Sequence, residues 1–381
     1  MLLSTNQSLA LRLSMFYIAY FAMVGITLPF FPVWLVSKGL TPENIGIIIG
    51  FSTFIRVFFD PIIAHLADRQ GIRQPIIVLL SSFALIFFSL YFISDTFWAI
   101  FLVTIIFSSC WGGTQPLAES LTIVSAKIAD FQYGRIRLWG SITFILAAVI
   151  MGKMLINNSP NIILLMIFGT VCFLLTVSIF LPKINSPKSR DRKFPIILLI
   201  RDKYFILVVL AAALIQSSHA VYYGFGTIHW QKAGIPESTI GLLWGEGVAA
   251  EIILFIFGGV LLRYISAIKL IILGGVFGVI RWIGTGLEVE LINLLFLQIL
   301  HGFTFGATHL GIIHFIGESV SEDISATAMS VYASIMGLAM GLMVIISGHL
   351  YAALAGYAYF VVALMSAMGC VLCFYSLMRT R

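Results

Sequence analysis

Twelve long apolar runs set the terms on which this chain can fold. They cover approximately 11–36, 43–66, 74–93, 97–124, 134–156 and 160–181, then 204–230, 238–262, 268–287, 290–316, 324–350 and 357–378. A helix crosses the hydrocarbon of a bilayer with about 20 mostly apolar residues, and the runs cluster around that length. Runs this long exclude a membrane β-barrel, whose strands alternate in segments of about ten residues. Composition closes the soluble alternative: 60% of the residues are hydrophobic and 10% charged, against roughly 25% charged in an ordinary soluble domain. The first run is too long for a signal-peptide core and is expected to remain as a span. The expected fold class is therefore an all-α membrane protein with 12 transmembrane helices.

The basic residues orient those helices. With the N-terminus inside, seventeen of the 22 Lys and Arg fall on cytoplasmic segments, among them seven between Lys183 and Lys203. Only Lys38, Lys153 and Lys232 fall outside, and Arg56 and Arg281 lie within spans. Because Lys/Arg bias sets topology, both termini are expected in the cytoplasm, in a cell membrane (the inner one in a bacterium). The net charge of +6 is then topological, and no nucleic-acid partner is needed to explain it.

The polar stretch 182–203 divides the chain into a bundle at 1–181, a cytoplasmic linker, and a bundle at 204–381. The halves echo each other. Lys38-Gly-Leu-Thr-Pro42-Glu43-Asn-Ile45-Gly46 recurs as Lys232-Ala-Gly-Ile-Pro236-Glu237-Ser-Thr-Ile240-Gly241, with one residue inserted. The same loop at the same side of the membrane is the mark of a parallel repeat.

Between the second and third runs stands Ala64-His65-Leu66-Ala67-Asp68-Arg69-Gln70-Gly71-Ile72-Arg73. It resembles the G-x-L-a-D-R-x-G-R signature of the major facilitator superfamily, with Ala in place of the first Gly. Asp68 can pair with a cation or cap a helix end, Gly71 permits a tight turn, and Arg73 can reach carbonyls or acids. Asp68, Arg69, Gly71 and Arg73 are thus expected to act in gating, as are Arg56 and Asp60, four apart on one helix face. Leu28-Pro29-Phe30-Phe31-Pro32-Val33-Trp34-Leu35 and Tyr133-Gly134-Arg135-Ile136-Arg137-Leu138-Trp139-Gly140 resemble lactose permease relatives. The blocks around His219 to Phe225, Ala250-Glu251, Arg281-Trp282 and Leu300 to Phe305 resemble the phenylpropionate permease-like branch.

An ionisable residue at bilayer depth costs several kcal/mol unless it is paired or wetted. Glu119 and Arg137 fall at similar depth in adjacent antiparallel spans and can pair; the resemblance implies that they line a solute cavity. A static ion pair is the alternative. Tyr17, Trp139, His219, Tyr222 and Tyr223 are the expected aromatic walls for substrate. In the second half, Glu246, Glu251, Arg281 and His301 can converge near the midplane as a proton-coupling set. The resemblance selects Glu251 as its acid. Glu246 and Glu251 lie about 140° apart around a helix and should not share a partner. Three residues after His301, where lactose permease relatives carry a glutamate, this chain has Thr304, so the proton must ride elsewhere, on Glu119, Glu251 or His301.

No His pair has a metal-site spacing with a third ligand, and no nucleotide loop or hydrolase elbow is present. Neither a metal, a cofactor nor an enzymatic activity is expected. Cys370 and Cys373 form a C-x-x-C inside an apolar run, which reads as packing. The leading expectation is a monomeric secondary transporter moving a small organic solute such as an aromatic acid, with protons, by alternating access. A sugar or nucleoside symporter is the alternative, and a non-transporting scaffold or sensor the alternative from another class.

Overall fold

The structure is a computed structural model that describes residues 5–184, 196–287 and 289–379. Among these residues there is no strand. The first six spanning helices are α1 (Thr5–Ser37), α2 (Pro42–Gln70), α3 (Gln74–Ser89), α4 (Phe97–Ala129), α5 (Tyr133–Leu155) and α6 (Asn161–Ile179). The next six are α7 (Lys203–Lys232), α8 (Glu237–Tyr264), α9 (Ala267–Leu287), α10 (Leu291–Ser319), α11 (Glu322–Leu354) and α12 (Ala358–Arg379). Eleven apolar stretches are long enough to span a bilayer, and the last of them, Ile324–Met378, contains both α11 and α12. The all-helical architecture expected from the apolar runs is the one observed.

Local chemistry explains the ends of several helices. Thr96 Oγ1 accepts the Ala99 amide at the start of α4, and Asp202 Oδ1 accepts the amides of Tyr204 and Phe205 at the start of α7. Each satisfies orphan first-turn donors. The repeated Lys-Gly loops turn through glycine in the left-handed region, at Gly39 with φ 76° and Gly234 with φ 82°. A side chain there would meet the Cβ penalty that glycine escapes.

Ile93, Leu102, Ile128, Leu364, Met368 and Val371 are all exposed. A water-facing monomer rarely carries so much contiguous apolar surface, whereas lipid covers it without cost.

The chain forms two compact units. One comprises 1–40, 51–192 and 236–242; the other comprises 41–50, 193–235 and 243–381. The first turns of α2 therefore belong with the second unit, where a Cβ on Gly46 would lie 2.8 Å from Gly348 Cα. The first turn of α8 belongs with the first unit, where Gly241 abuts the Ala148 carbonyl. Small residues permit such backbone approach.

Most of the expected linker, 185–195, lies outside the described residues together with the basic cluster on it. The end of that segment is not extended: Ile196–Arg201 is a short helix. Leu199 anchors it in a core with Phe205, Val208 and Phe315.

Candidate functional sites

In the first unit, α4 presents Gln115 and Glu119 one turn apart, and Gln115 Nε2 donates to Glu119 Oε1 at 3.2 Å. Arg137, in the first turns of α5, brings its Nε to 3.9 Å from the same Oε1. That separation is an electrostatic contact rather than a hydrogen bond. Both side chains keep about a third of their surface exposed, 30% for Arg137 and 34% for Glu119. The expected pair is formed, loosely, with both side chains partly exposed.

Helix α1 walls this pair with rings. The Arg137 guanidinium lies 4.1 Å from the Phe21 ring centre and 5.8 Å from that of Tyr17, within cation–π range. Gly140 makes the arrangement possible: a Cβ there would lie 2.6 Å from Phe21 and 3.1 Å from Arg137 Nη1. Tyr17 donates to Thr122 Oγ1 at 3.4 Å, and Tyr20 donates to Gln115 Oε1 at 3.0 Å. Trp139 is half-exposed on α5, and Phe21 is the ring that covers the arginine. Phe21, Tyr20 and Gln115 were not singled out from the sequence. Their hint is positional: Phe21 follows Tyr17 by one helical turn, and Gln115 precedes Glu119 by one.

The second unit gathers its charges differently. Arg281 on α9 is completely buried. Its Nη1 donates to His301 Nδ1 at 2.9 Å and to Thr304 Oγ1 at 3.0 Å, and its Nη2 donates to Gln298 Oε1 at 3.0 Å. Rings of Tyr222 and Trp282 lie 4.8 and 4.5 Å from the guanidinium carbon. None of these partners is a carboxylate.

Arginine offers only donors, so His301 Nδ1 must accept, and the proton of a neutral ring sits on Nε2. Nε2 faces Glu251 Oε2 at 3.8 Å. His219 is fixed in the complementary way. Its Nδ1 donates to the Gln216 carbonyl at 2.9 Å, so its Nε2 accepts the Thr304 hydroxyl at 3.1 Å. Thr304, which breaks the permease pattern in the sequence, thus bridges His219 and Arg281.

Tyr222 donates to Gln298 Oε1 at 3.2 Å and stacks on Trp244 at 4.3 Å. Tyr223 stacks on His219 at 5.5 Å. His219, Tyr222 and Tyr223, expected to wall a solute, are built into the Arg281 network. Glu246 is apart from it, in an apolar groove of about 580 Å³ between α8 and α10 lined by Ile253, Phe257 and Gly302.

Backbone geometry supports this network. Gly302–Ala307 adopts the wider π turn, a departure that clusters at functional positions. Gln216 Nε2 donates to the Phe305 carbonyl at 3.1 Å, satisfying one acceptor within that turn. Gly302 packs against the Ala250 carbonyl, 2.8 Å from where a Cβ would stand, and brings α10 onto α8 beside Glu251.

At the signature loop, Gly71 has φ 73°, so glycine is required for the turn between α2 and α3. Arg73 is buried and Arg69 exposed; the side chain of Asp68 lies outside the described residues. Arg56 and Asp60 do pair along α2, with Nη2 and Oδ2 3.4 Å apart.

Long apolar helices with large hydrophobic side chains on their outer faces define a polytopic membrane protein. Residues 10–362 match the model of the MFS_1 like family, and the chain belongs to that family and to the major facilitator superfamily. Among curated relatives, the probable 3-phenylpropionic acid transporter of Escherichia coli (strain K12) is 31% identical, covering 96% of both chains. The lactose permease of Citrobacter freundii is 24% identical over 86% of this chain and 84% of its own. Among solved structures, the nucleoside transporter NupG (D323A mutant) superposes with a TM-score of 0.87 at 17% identity, covering 98% of this chain and all of that one. The protein is a multi-pass membrane transporter of small molecules.

Proposed function

We propose that the protein carries a small aromatic carboxylate, of the 3-phenylpropionate type, into the cell together with protons. The observation that carries this reading is the state of Arg137. Its carboxylate partner stands at 3.9 Å, its side chain is 30% exposed, and Phe21 and Tyr17 flank it. A guanidinium with free donors can take a carboxylate in paired hydrogen bonds, while flanking rings accept an aryl group. The name of the relative that is 31% identical over nearly the whole chain supports the same solute class.

In this reading the bundles 1–181 and 204–381 rock about a central site, as a monomer in the inner membrane with both termini in the cytoplasm. Glu251, His301 and Arg281 form a coupled set through which a proton can be exchanged, and the Asp68–Arg73 loop acts in gating.

Uptake of labelled 3-phenylpropionate, lactose and uridine into vesicles, with an imposed pH gradient, tests the proposal. The expected result is accumulation of the aromatic acid, with alkalinisation of the outer medium when it is added to cells. Accumulation of lactose or uridine with none of the aromatic acid would overturn it. That outcome would favour the second reading, in which Glu119 accepts from, and Arg137 donates to, the hydroxyls of a sugar or nucleoside.

A further inference from the structure

The first unit contains a second acid–arginine pair, and the Trp111 ring stands between it and the hydrogen-bonded chain that leads to the first. Arg56 and Asp60 meet at 3.4 Å. The guanidinium rests against Gly112 on α4, where a Cβ would collide with it, and 5.5 Å from the Trp111 ring centre. Tyr20 on α1 stacks on the same Trp111 ring at 5.3 Å. The Tyr20 hydroxyl donates to Gln115, whose amide donates to Glu119. Hydrogen bonds therefore run from Tyr20 through Gln115 to Glu119, and the Trp111 ring lies against both Tyr20 and Arg56.

Arg56, Asp60, Glu119 and Arg137 sum to zero formal charge. An anionic solute arriving at Arg137 makes this set net negative in a medium where isolated charge is expensive. One proton on either acid restores neutrality. The two acids are not equivalent. Glu119 Oε1 accepts from Gln115 and faces Arg137, so protonating that group disturbs the solute clamp itself. Asp60 Oδ1 is shut away from solvent without a hydrogen-bond donor, and its other oxygen holds Arg56 only at 3.4 Å. A proton on Asp60 weakens one long ion pair and leaves the groups around Arg137 in place, with the positive charge on Arg56 offset within the set by the arriving anion. Arg56 on α2 is the charged group that faces Asp60; Tyr20 from α1 feels both members of the pair, and also Glu119 from α4 and Arg137 from α5.

We propose that Asp60 is a proton-loading site of the first unit: it takes up the proton that accompanies an anionic solute to Arg137 and releases it when the solute leaves. This assignment rests on the reading of the solute as an aromatic carboxylate. It places a proton on the same side of the cycle as the solute, without the glutamate that Thr304 replaces.

The test uses the full chain reconstituted in proteoliposomes. Labelled 3-phenylpropionate is measured under an inward proton gradient and, separately, as exchange against unlabelled solute at equal pH. Asp60→Asn mimics the protonated acid permanently. It should reduce gradient-driven accumulation at least tenfold while exchange proceeds, with an apparent affinity that no longer changes between about pH 5.5 and 8. Asp60→Glu keeps an acid and should restore accumulation, which guards against a folding defect in the first variant. Wild-type accumulation and an unaltered pH profile in Asp60→Asn, or no accumulation by well-folded Asp60→Glu, would overturn the assignment alone. Wild-type vesicles that take up no aromatic acid would overturn the anion reading and this assignment with it.

Discussion

Arg137 and Arg281 are both arginines on spanning helices, and the two units hold them in opposite ways. Arg137 keeps 30% of its side chain exposed and has Glu119 at 3.9 Å. Arg281 is fully buried and spends its Nη donors on His301, Thr304 and Gln298. Its Nε remains without a partner. A solute can recruit the first guanidinium by displacing water; to recruit the second it must break up a packed, hydrogen-bonded cluster. Charge alone does not separate these cases in a sequence. The packing does, and under the proposed function it divides the labour into an open clamp and a closed frame that fixes two histidine tautomers.

The largest effect that would test this contrast is on stability. Arg281→Ala leaves His301 Nδ1 without its buried donor, removes one of the two donors to Gln298 Oε1 and opens a void between Tyr222 and Trp282. A buried acceptor stripped of its donor costs about 1–3 kcal/mol, and the void adds to it. The variant should inactivate at a clearly lower temperature in detergent and lose uptake altogether. Unchanged thermal inactivation, with only a shifted KM, would erase the contrast by making Arg281 a second open clamp.

Arg137→Ala is the reciprocal. Loosely paired and partly exposed charges contribute about 0–1 kcal/mol to stability, so thermal inactivation should hardly move. Loss of one charge-assisted bond to a solute carboxylate is worth about 1.5–3 kcal/mol, or roughly ten- to hundredfold in KM. Normal uptake by a normally expressed Arg137→Ala protein would remove the clamp from the mechanism.

What was legible beforehand follows the same division. The helices were readable because a span is a composition signal: the run expected at 97–124 is Phe97–Ala129, and that at 268–287 is Ala267–Leu287. Glu119, Arg137, Glu251, Arg281 and His301 were readable because a charge or imidazole stands out in an apolar run. Gln115, Gln298 and Phe21 were not, since neutral polar and aromatic residues are ordinary in spans and only their neighbours make them matter; Thr304 stood out only as a departure from the permease pattern. The π turn at Gly302–Ala307 was equally hidden: Gln216, 89 positions from Phe305, supplies a hydrogen bond within it. The helix at Ile196–Arg201 was obscured by the basic cluster that precedes it, although its five apolar residues are enough to seat Leu199 in the core.

The smallest predicted effect is the most local test of the open clamp. Phe21 covers one face of Arg137 at 4.1 Å, and Gly140 leaves room for the ring. A cation–π contact at a partly exposed site is worth about 0.5–1 kcal/mol, so Phe21→Leu should raise KM by roughly two- to fivefold with little change in the maximal rate. Gly140→Ala should act in the same direction by pushing the ring off the guanidinium, because the added Cβ falls 2.6 Å from Phe21. The double variant Phe21→Leu/Gly140→Ala then separates the explanations. With the ring gone the added methyl finds space, so the second substitution should cost less than it does alone, a non-additivity expected of residues in direct contact. Full additivity would mean that Gly140 acts through the α1–α5 packing as a whole, and that Phe21 does not position Arg137.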